Sequence, residues 1–470
     1  MKVQRPNTRR FATIIACVAS LAIIWYSQRS HVLSQPSKPT RVSPLIPDTT
    51  DLSSARAPFI PWPLQRLCTE QVDAGSTVPG LVFICDNNSG GPGNIRNYIL
   101  TCLRYAIEAG ATGLQIPRIR TRSASDTADL FKGYQPFSYM FSEAHFRAAM
   151  AGACPHIALF AGDGSRGGLD VIPGVAAKSA RENKSPERLV RRITPKQFGG
   201  TRAGCDERDP NRHTDRFGAA FRRWTDDVTV NMGSEPTSWD NPMLVRLAWG
   251  VLWDWPIIRD GPELAATFGG LLRIREDVLV LADGIVSSMR ALSSGREGVA
   301  SGDDMPDGGF LGVHLRTEED ALSQWPTYDN QSKGYLHEAE ERGFRGGVAY
   351  LASGSEKEAQ RFSEDARMHL GLDVRSKYDL VHGRELEELK SLSWDQQALV
   401  DFAVLLESDY FVGVSPSSFS INVALKRHLR KEGLYTRPWK VGSGDGRSWL
   451  VGRYVSYWND WLFMFDGMWP

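Results

Sequence analysis

Tyr410-Phe411-Val412-Gly413-Val414 runs straight into Ser415-Pro416-Ser417-Ser418-Phe419-Ser420, and a helix-compatible stretch continues through 421–430. The first five residues are apolar with no polar alternation, the pattern of a parallel strand buried on both faces. A hydroxyl-rich turn follows at the helix start, where Ser417, Ser418 and Ser420 sit among amides that lack intrahelical partners, and their hydroxyls add donors. A strand, loop and helix of this kind is an anion dock, usually for phosphate. Serines that only cap the helix give the same string, so the other half of a pocket has to come from elsewhere in the chain.

One such half lies upstream, in Phe310-Leu311-Gly312-Val313-His314-Leu315-Arg316-Thr317-Glu318-Glu319-Asp320. His314 and Arg316 are two apart on a strand and share a face. The carboxyl end of a parallel strand is where open α/β sheets bind ligands, and a guanidinium matches phosphate with two parallel hydrogen bonds. The competing reading is an arginine paired with Glu318 or Glu319. Next come a strand over Gly347–Ala352, a turn Ser353-Gly354-Ser355 and a helix from Glu356, with Ser355 and Glu358 at capping-box spacing. An amphipathic helix over Asp395–Leu406 leads back to Tyr410. This alternation, from Phe310 to Arg430, predicts one Rossmann-like half.

A second unit of the same kind stands near the start: strand Leu81–Cys85, loop Asp86 to Asn94, helix Ile95–Ala109 and strand Leu114–Pro117. Gly90, Gly91 and Gly93 allow close approach of backbone to a ligand, and Asn94 offers both a donor and an acceptor. Ordinary turn chemistry accounts for the same residues. Trp224, Trp239, Trp249, Trp253 and Trp255 are sized for stacking on a sugar but are also core formers. Lys178 to Lys196 is a basic run with the character of a solvated face. The Gly- and Asp-rich connection Ser294–Gly309 divides the folded part into domains 81–300 and 301–470, with the aromatic tail Trp449–Pro470 packing back.

The whole chain has 470 residues, enough for two cores, and its 55 Lys plus Arg balance 55 Asp plus Glu, so net charge recruits neither nucleic acid nor membrane surface. Residues 1–10 are basic and precede the uncharged stretch Phe11–Tyr26. That order predicts a type II signal anchor with a cytoplasmic tail and a lumenal bulk; a cleaved signal peptide is the alternative. Residues 27–80, rich in Ser, Pro and Thr, read as a disordered stalk. Asn87, Asn183 and Asn330 begin glycosylation sequons, meaningful in a lumenal protein. Five cysteines beyond the leader, Cys68, Cys85, Cys102, Cys154 and Cys205, allow at most two internal disulfides, and the pairing stays open.

Four separated strings, Gly91-Pro92-Gly93-Asn94-Ile95-Arg96, Val313-His314-Leu315-Arg316, Tyr350-Leu351-Ala352-Ser353 and Phe411-Val412-Gly413 through Ser417-Ser418-Phe419-Ser420, resemble in the same order the motifs of the GDP-fucose protein O-fucosyltransferase superfamily. The resemblance spans roughly 81–430. It implies a GT-B architecture, two Rossmann-like domains facing across a cleft, and inverting transfer of fucose from GDP-fucose to a protein or glycan acceptor with no cofactor or metal. Arg316 and Asn94 would be catalytic. Gly91, Gly93, Asn94, His314, Arg316, Ser353, Ser417, Ser418 and Phe419 would bind the donor, with Arg316 on the β-phosphate. The chain also lacks an Asp-x-Asp pair, the usual carboxylate clamp for a divalent ion. It departs from some members in having no glutamate beside Gly91 and Pro92; Glu318, Glu319 or Asp320 would then activate the acceptor, or leaving-group departure would come first. A catalytically silent binding protein and a transferase with another nucleotide sugar are the alternatives. The expected location is the membrane of the Golgi or endoplasmic reticulum.

Overall fold

The computed structural model describes residues 50–123, 129–130, 132–162, 168–200, 203–227, 235–294, 309–318, 325–430 and 434–470. Residues 1–49, with the expected tail, anchor and first part of the stalk, lie outside the described residues, as do Glu319 and Asp320. Among the described residues no helix is long and apolar enough to cross a membrane.

In chain order the strands are β1 (Val78–Ile84), β2 (Ala111–Gln115), β3 (Ile119–Thr121), β4 (Gly133–Gln135), β5 (Ala158–Phe160), β6 (Arg191–Ile193), β7 (Met243–Leu247), β8 (Leu311–Leu315), β9 (Val348–Ser353), β10 (Asp373–Arg375), β11 (Tyr410–Val414) and β12 (Ser448–Val451). Ten of them form two five-stranded sheets, β5-β2-β1-β7-β6 and β10-β9-β8-β11-β12. All pairs within these two sheets are parallel, while β3 and β4 make an antiparallel hairpin. Parallel strands need helical crossovers, which cover both faces and explain the unbroken apolar runs. Thus β8 and β11 are buried along their whole length.

In the second sheet the chain steps from β8 to β9 to β10 on one side, then returns to the other side for β11 and β12. The order therefore reverses between β8 and β11, so their carboxyl ends flank a crevice. Those ends carry His314 and the Ser415–Ser420 loop. Helix Pro92–Ala109 crosses from β1 to β2, Glu356–Leu370 follows β9, and Ser418–His428 follows β11. Helix Glu276–Ser294 packs on Trp394–Leu406, joining the two sheets' helical layers.

The disordered stalk has to be corrected between residues 50 and 80. Trp62–Asp73 is a helix that buries Pro63, Leu64, Leu67 and Cys68. Cys68 is bonded to Cys154 and Cys85 to Cys102, and Cys205 is a buried free thiol. The basic run is spread over two short helices and a strand and is largely exposed, with Lys178 donating to the Pro242 carbonyl, Arg181 to that of Asp240, and Lys184 pairing with Glu182. Of the tryptophans, Trp255 is fully buried against Tyr105, and the half-buried Trp249 donates its indole N–H to the Ser89 carbonyl at 3.3 Å. The Asn87 amide is engaged by the Leu247 carbonyl and by Arg120, whereas Asn183 and Asn330 are exposed.

Candidate active site

The carboxyl ends of β8, β9 and β11 and the start of helix Pro92–Ala109 border one cleft of about 790 Å³. Gly91, Asn94, His314, Arg316, Ser353, Ser417, Ser418 and Phe419 all line it. Gly93 does not line it. A Cβ on Gly93 would stand 2.9 Å from the Ser418 main chain, so glycine here serves the contact between two walls rather than ligand approach. Helices starting at Pro92, Glu356, Trp394 and Ser418 all have first-turn residues on the cleft. Their dipoles favour an anion at these ends, beside Arg122, Arg316 and Lys377, while Glu318, Glu356, Asp379 and Asp401 put negative charge on the same lining.

The serine string divides by role. Ser417 caps its helix, accepting the Ser420 N–H. Ser420 is fully buried and faces inward: its hydroxyl accepts the Val414 N–H at 3.1 Å and lies 2.6 Å from His314 Nδ1. Only Ser418 and Phe419 keep partial exposure. The inward course of Ser420 fixes another residue, since a Cβ on Gly413 would stand 2.6 Å from its oxygen.

His314 is buried, and burial together with the neighbouring Arg316 charge pushes its imidazole down to about 3, so the ring is neutral at physiological pH. The Ser420 hydroxyl, which already accepts the Val414 N–H, also shares a hydrogen bond with Nδ1 whose direction follows the imidazole tautomer. Phe419 packs against the ring with centroids 4.5 Å apart.

Arg316 extends the β8 line. Its backbone exchanges hydrogen bonds with the Gln331 side chain, N–H to Oε1 at 3.0 Å and carbonyl from Nε2 at 2.8 Å. Its guanidinium pairs with Glu318, whose other oxygen accepts the Gly354 N–H at 2.8 Å, and lies 5.6 Å from the Trp325 ring centre. The same arginine therefore both lines the cleft and makes the Glu318 pair foreseen as its competing reading. Across the cleft, Asn94 Oδ1 is buried with no hydrogen-bond partner among the described residues. A buried acceptor left without a donor costs about 1–3 kcal/mol.

Other cleft residues were not singled out from sequence. Arg122 reaches in from the β3–β4 hairpin, lies 4.3 Å from the Trp394 ring centre and pairs with Asp395 at 3.3 Å. Burial raises the Asp395 carboxyl to about 6 despite that arginine. The alternation Arg118-Ile119-Arg120-Thr121-Arg122 is a signal that would have found it, three cations on one face of a strand. At the far end Lys377 donates to Asp401 at 2.7 Å and Tyr350 to the same carboxylate at 2.6 Å. An aspartate inside the apolar run Ala398-Leu399-Val400-Asp401-Phe402 was the visible signal there. Among the described residues no group of three or more His, Cys, Asp or Glu side chains is placed to hold a metal ion.

Parallel α/β sheets with a cleft at the carboxyl ends of their strands are a ligand-binding build shared by many enzymes. A family model described as GDP-fucose protein O-fucosyltransferase matches residues 81–430, and the chain belongs to that family. Solved structures similar to the chain include POFUT1 in complex with GDP-fucose, at 14% identity over 75% of this chain and 96% of that one, TM-score 0.41. Others are Arabidopsis thaliana FUT1 in mutant form with GDP, at 12% identity over 77% and 71%, TM-score 0.34, and the fucosyltransferase NodZ from Bradyrhizobium, at 14% over 74% and 92%, TM-score 0.35. The search of curated proteins gave no match.

Proposed function

We propose that the protein transfers fucose from GDP-fucose to a hydroxyl of a secretory-pathway acceptor, protein or glycan, with inversion and without a metal. The two sheets are read as the facing halves of a GT-B enzyme. The observation that carries the reading is the shared cleft of Asn94, His314, Arg316, Ser418 and Phe419, drawn from sequence positions more than 300 residues apart. Departing GDP develops negative charge at the β-phosphate. Arg316 and the amides at the Ser418 helix start would stabilise it, and one such preorganised donor is worth roughly 3–4 kcal/mol in the transition state. The neutral His314 offers its ring to the donor without adding charge, and Asn94 Oδ1 accepts from a donor hydroxyl.

Inversion requires the acceptor to attack from the face opposite the leaving group. Glu318, in contact with Arg316, stands on the leaving-group side and is therefore not the base in this reading. The described first-half lining, Gly90, Gly91, Pro92, Asn94, Arg122 and Leu130, supplies no carboxylate. That favours departure of GDP ahead of acceptor deprotonation, and it also favours the second reading, a silent nucleotide-binding member. Two disulfides among the described residues suit an oxidising lumen, so we infer a type II chain anchored by residues 11–26 in the Golgi or endoplasmic reticulum membrane.

Calorimetry with GDP, UDP and ADP tests the donor, with binding of GDP alone expected; preference for UDP or ADP refutes it. GDP release from GDP-fucose that depends on added acceptor separates the enzyme from the silent binder, which releases none.

A further inference from the structure

Residues 467–470 do not line the cleft, yet they are buried against the helices that form both of its walls. The helices starting at Pro92 and Ser418 touch where Gly93 meets the Ser418 main chain. Further along both helices lies a polar knot. Arg96 Nη1 donates to the Trp469 carbonyl at 2.8 Å and to Asn422 Oδ1 at 3.4 Å, and Nη2 donates to the Pro470 main-chain oxygen. Asn422 Nδ2 donates to the same Trp469 carbonyl at 2.5 Å. Asn97 grips the segment from its own side: Oδ1 accepts the Trp469 N–H at 2.8 Å, while Nδ2 donates to the carbonyls of Gly467, at 2.8 Å, and Leu252. The Trp469 indole N–H reaches Thr101 Oγ1 at 3.3 Å, and its ring meets Phe268 at 4.8 Å between centroids. Gly269 leaves the room this needs, because a Cβ there would overlap the Pro470 oxygen and the Arg96 guanidinium.

Arg96, Asn97, Thr101, Asn422 and Trp469 are all buried. Buried polar groups of this kind are costly unless paired, so the knot favours one relative placement of the two helices over its neighbours. Arg96 stands two residues after Asn94, and Asn422 three after Phe419. A change of spacing at the knot is passed to those two cleft residues by the first turns of rigid helices.

We propose that Trp469 and Pro470 are a positioning wedge for the donor site, with Arg96 and Asn422 as positioning residues that set the distance between Asn94 and the Ser418–Phe419 corner. The inference rests on the donor-site reading above. Removing a wedge loosens a preformed site, so donor affinity falls while the reacting groups stay in place.

The test uses the full chain with GDP and GDP-fucose as probes. Arg96→Lys and Asn422→Leu are expected to bind GDP about 10-fold more weakly, equal to about 1.4 kcal/mol, and to raise KM for GDP-fucose more than they lower kcat. Trp469→Phe keeps every main-chain bond but loses the Thr101 contact and part of the buried ring packed on Phe268, so its GDP affinity is expected to be about 3-fold weaker than wild type, about 0.6 kcal/mol. Wild-type GDP affinity in Arg96→Lys and Asn422→Leu, with only a lowered melting temperature, overturns the wedge and leaves those residues structural. Should neither fold, Trp469→Phe decides: GDP binding weakened by about 3-fold supports the wedge, and wild-type GDP affinity overturns it. Wild type that fails to bind GDP refutes the donor reading and takes the wedge with it, whereas wild-type binding with unaltered variants refutes the wedge alone.

Discussion

Ser420→Ala removes one hydroxyl that serves two buried partners. The Val414 N–H loses its acceptor at 3.1 Å, and His314 Nδ1 loses the partner at 2.6 Å. Each buried group left unmatched costs about 1–3 kcal/mol, and Ser420 is wholly inaccessible to water, so about 2–4 kcal/mol of stability is expected to go. His314 would then lose the hydrogen bond that fixes its ring orientation and tautomer, and GDP affinity should fall about 10-fold. Ser417→Ala is the control. It removes only a helix cap, worth about 1 kcal/mol. Urea denaturation compared across the two variants, with GDP titrations alongside, measures both effects. If Ser420→Ala costs no more than Ser417→Ala and binds GDP as wild type does, then the string is a plain helix cap and the inward lock described here is wrong.

Arg316→Ala should leave a folded protein and lower fucosyl transfer by at least about 100-fold, read from GDP release under saturating acceptor; full turnover removes the leaving-group assignment. Gly93→Ala places a methyl 2.9 Å from the Ser418 backbone, which cannot swing aside as a side chain tip can, so a loss of about 1–3 kcal/mol in denaturant is expected, with weaker GDP binding. For pH, the His314 imidazole titrates at the ordinary 6.5 in the unfolded chain and near 3 when folded. Between those values the unfolded chain holds the extra proton. Its contribution to stability is therefore complete above about 6.5 and lost as pH falls toward 3. His314→Gln should flatten that part of a stability profile measured from pH 4 to 8, and an unchanged slope refutes the buried neutral ring.

The strands at the heart of both sheets were legible because a parallel strand buried on both faces writes itself as an uninterrupted apolar run. Tyr410–Val414 was read to the residue, and β8 and β9 nearly so. Helix Pro92–Ala109 begins three residues earlier than its periodicity suggests, because Pro92 occupies a first-turn position where its missing N–H costs nothing. The helix Trp62–Asp73 was lost in a Ser- and Pro-rich segment. Its buried face is only four residues wide, and what fastens it is the bond from Cys68 to Cys154, a partner 86 positions away.

Local sequence by itself settled the alternation of strand and helix, the basic and hydroxyl groups at strand ends, and the family to which those strings belong, because each is a property of neighbours along the chain. Which way a given side chain faces was decided only in three dimensions. Ser420 turns inward because His314 and the Val414 amide wait there; Gly93 is glycine because a Cβ there would stand 2.9 Å from the Ser418 backbone; Arg122 enters the cleft because a hairpin carries it to Trp394. Hydrogen bonds and close contacts act over a few ångströms, and the partners that satisfy them here come from positions tens to hundreds of residues apart, a distance over which sequence pattern carries no directional information.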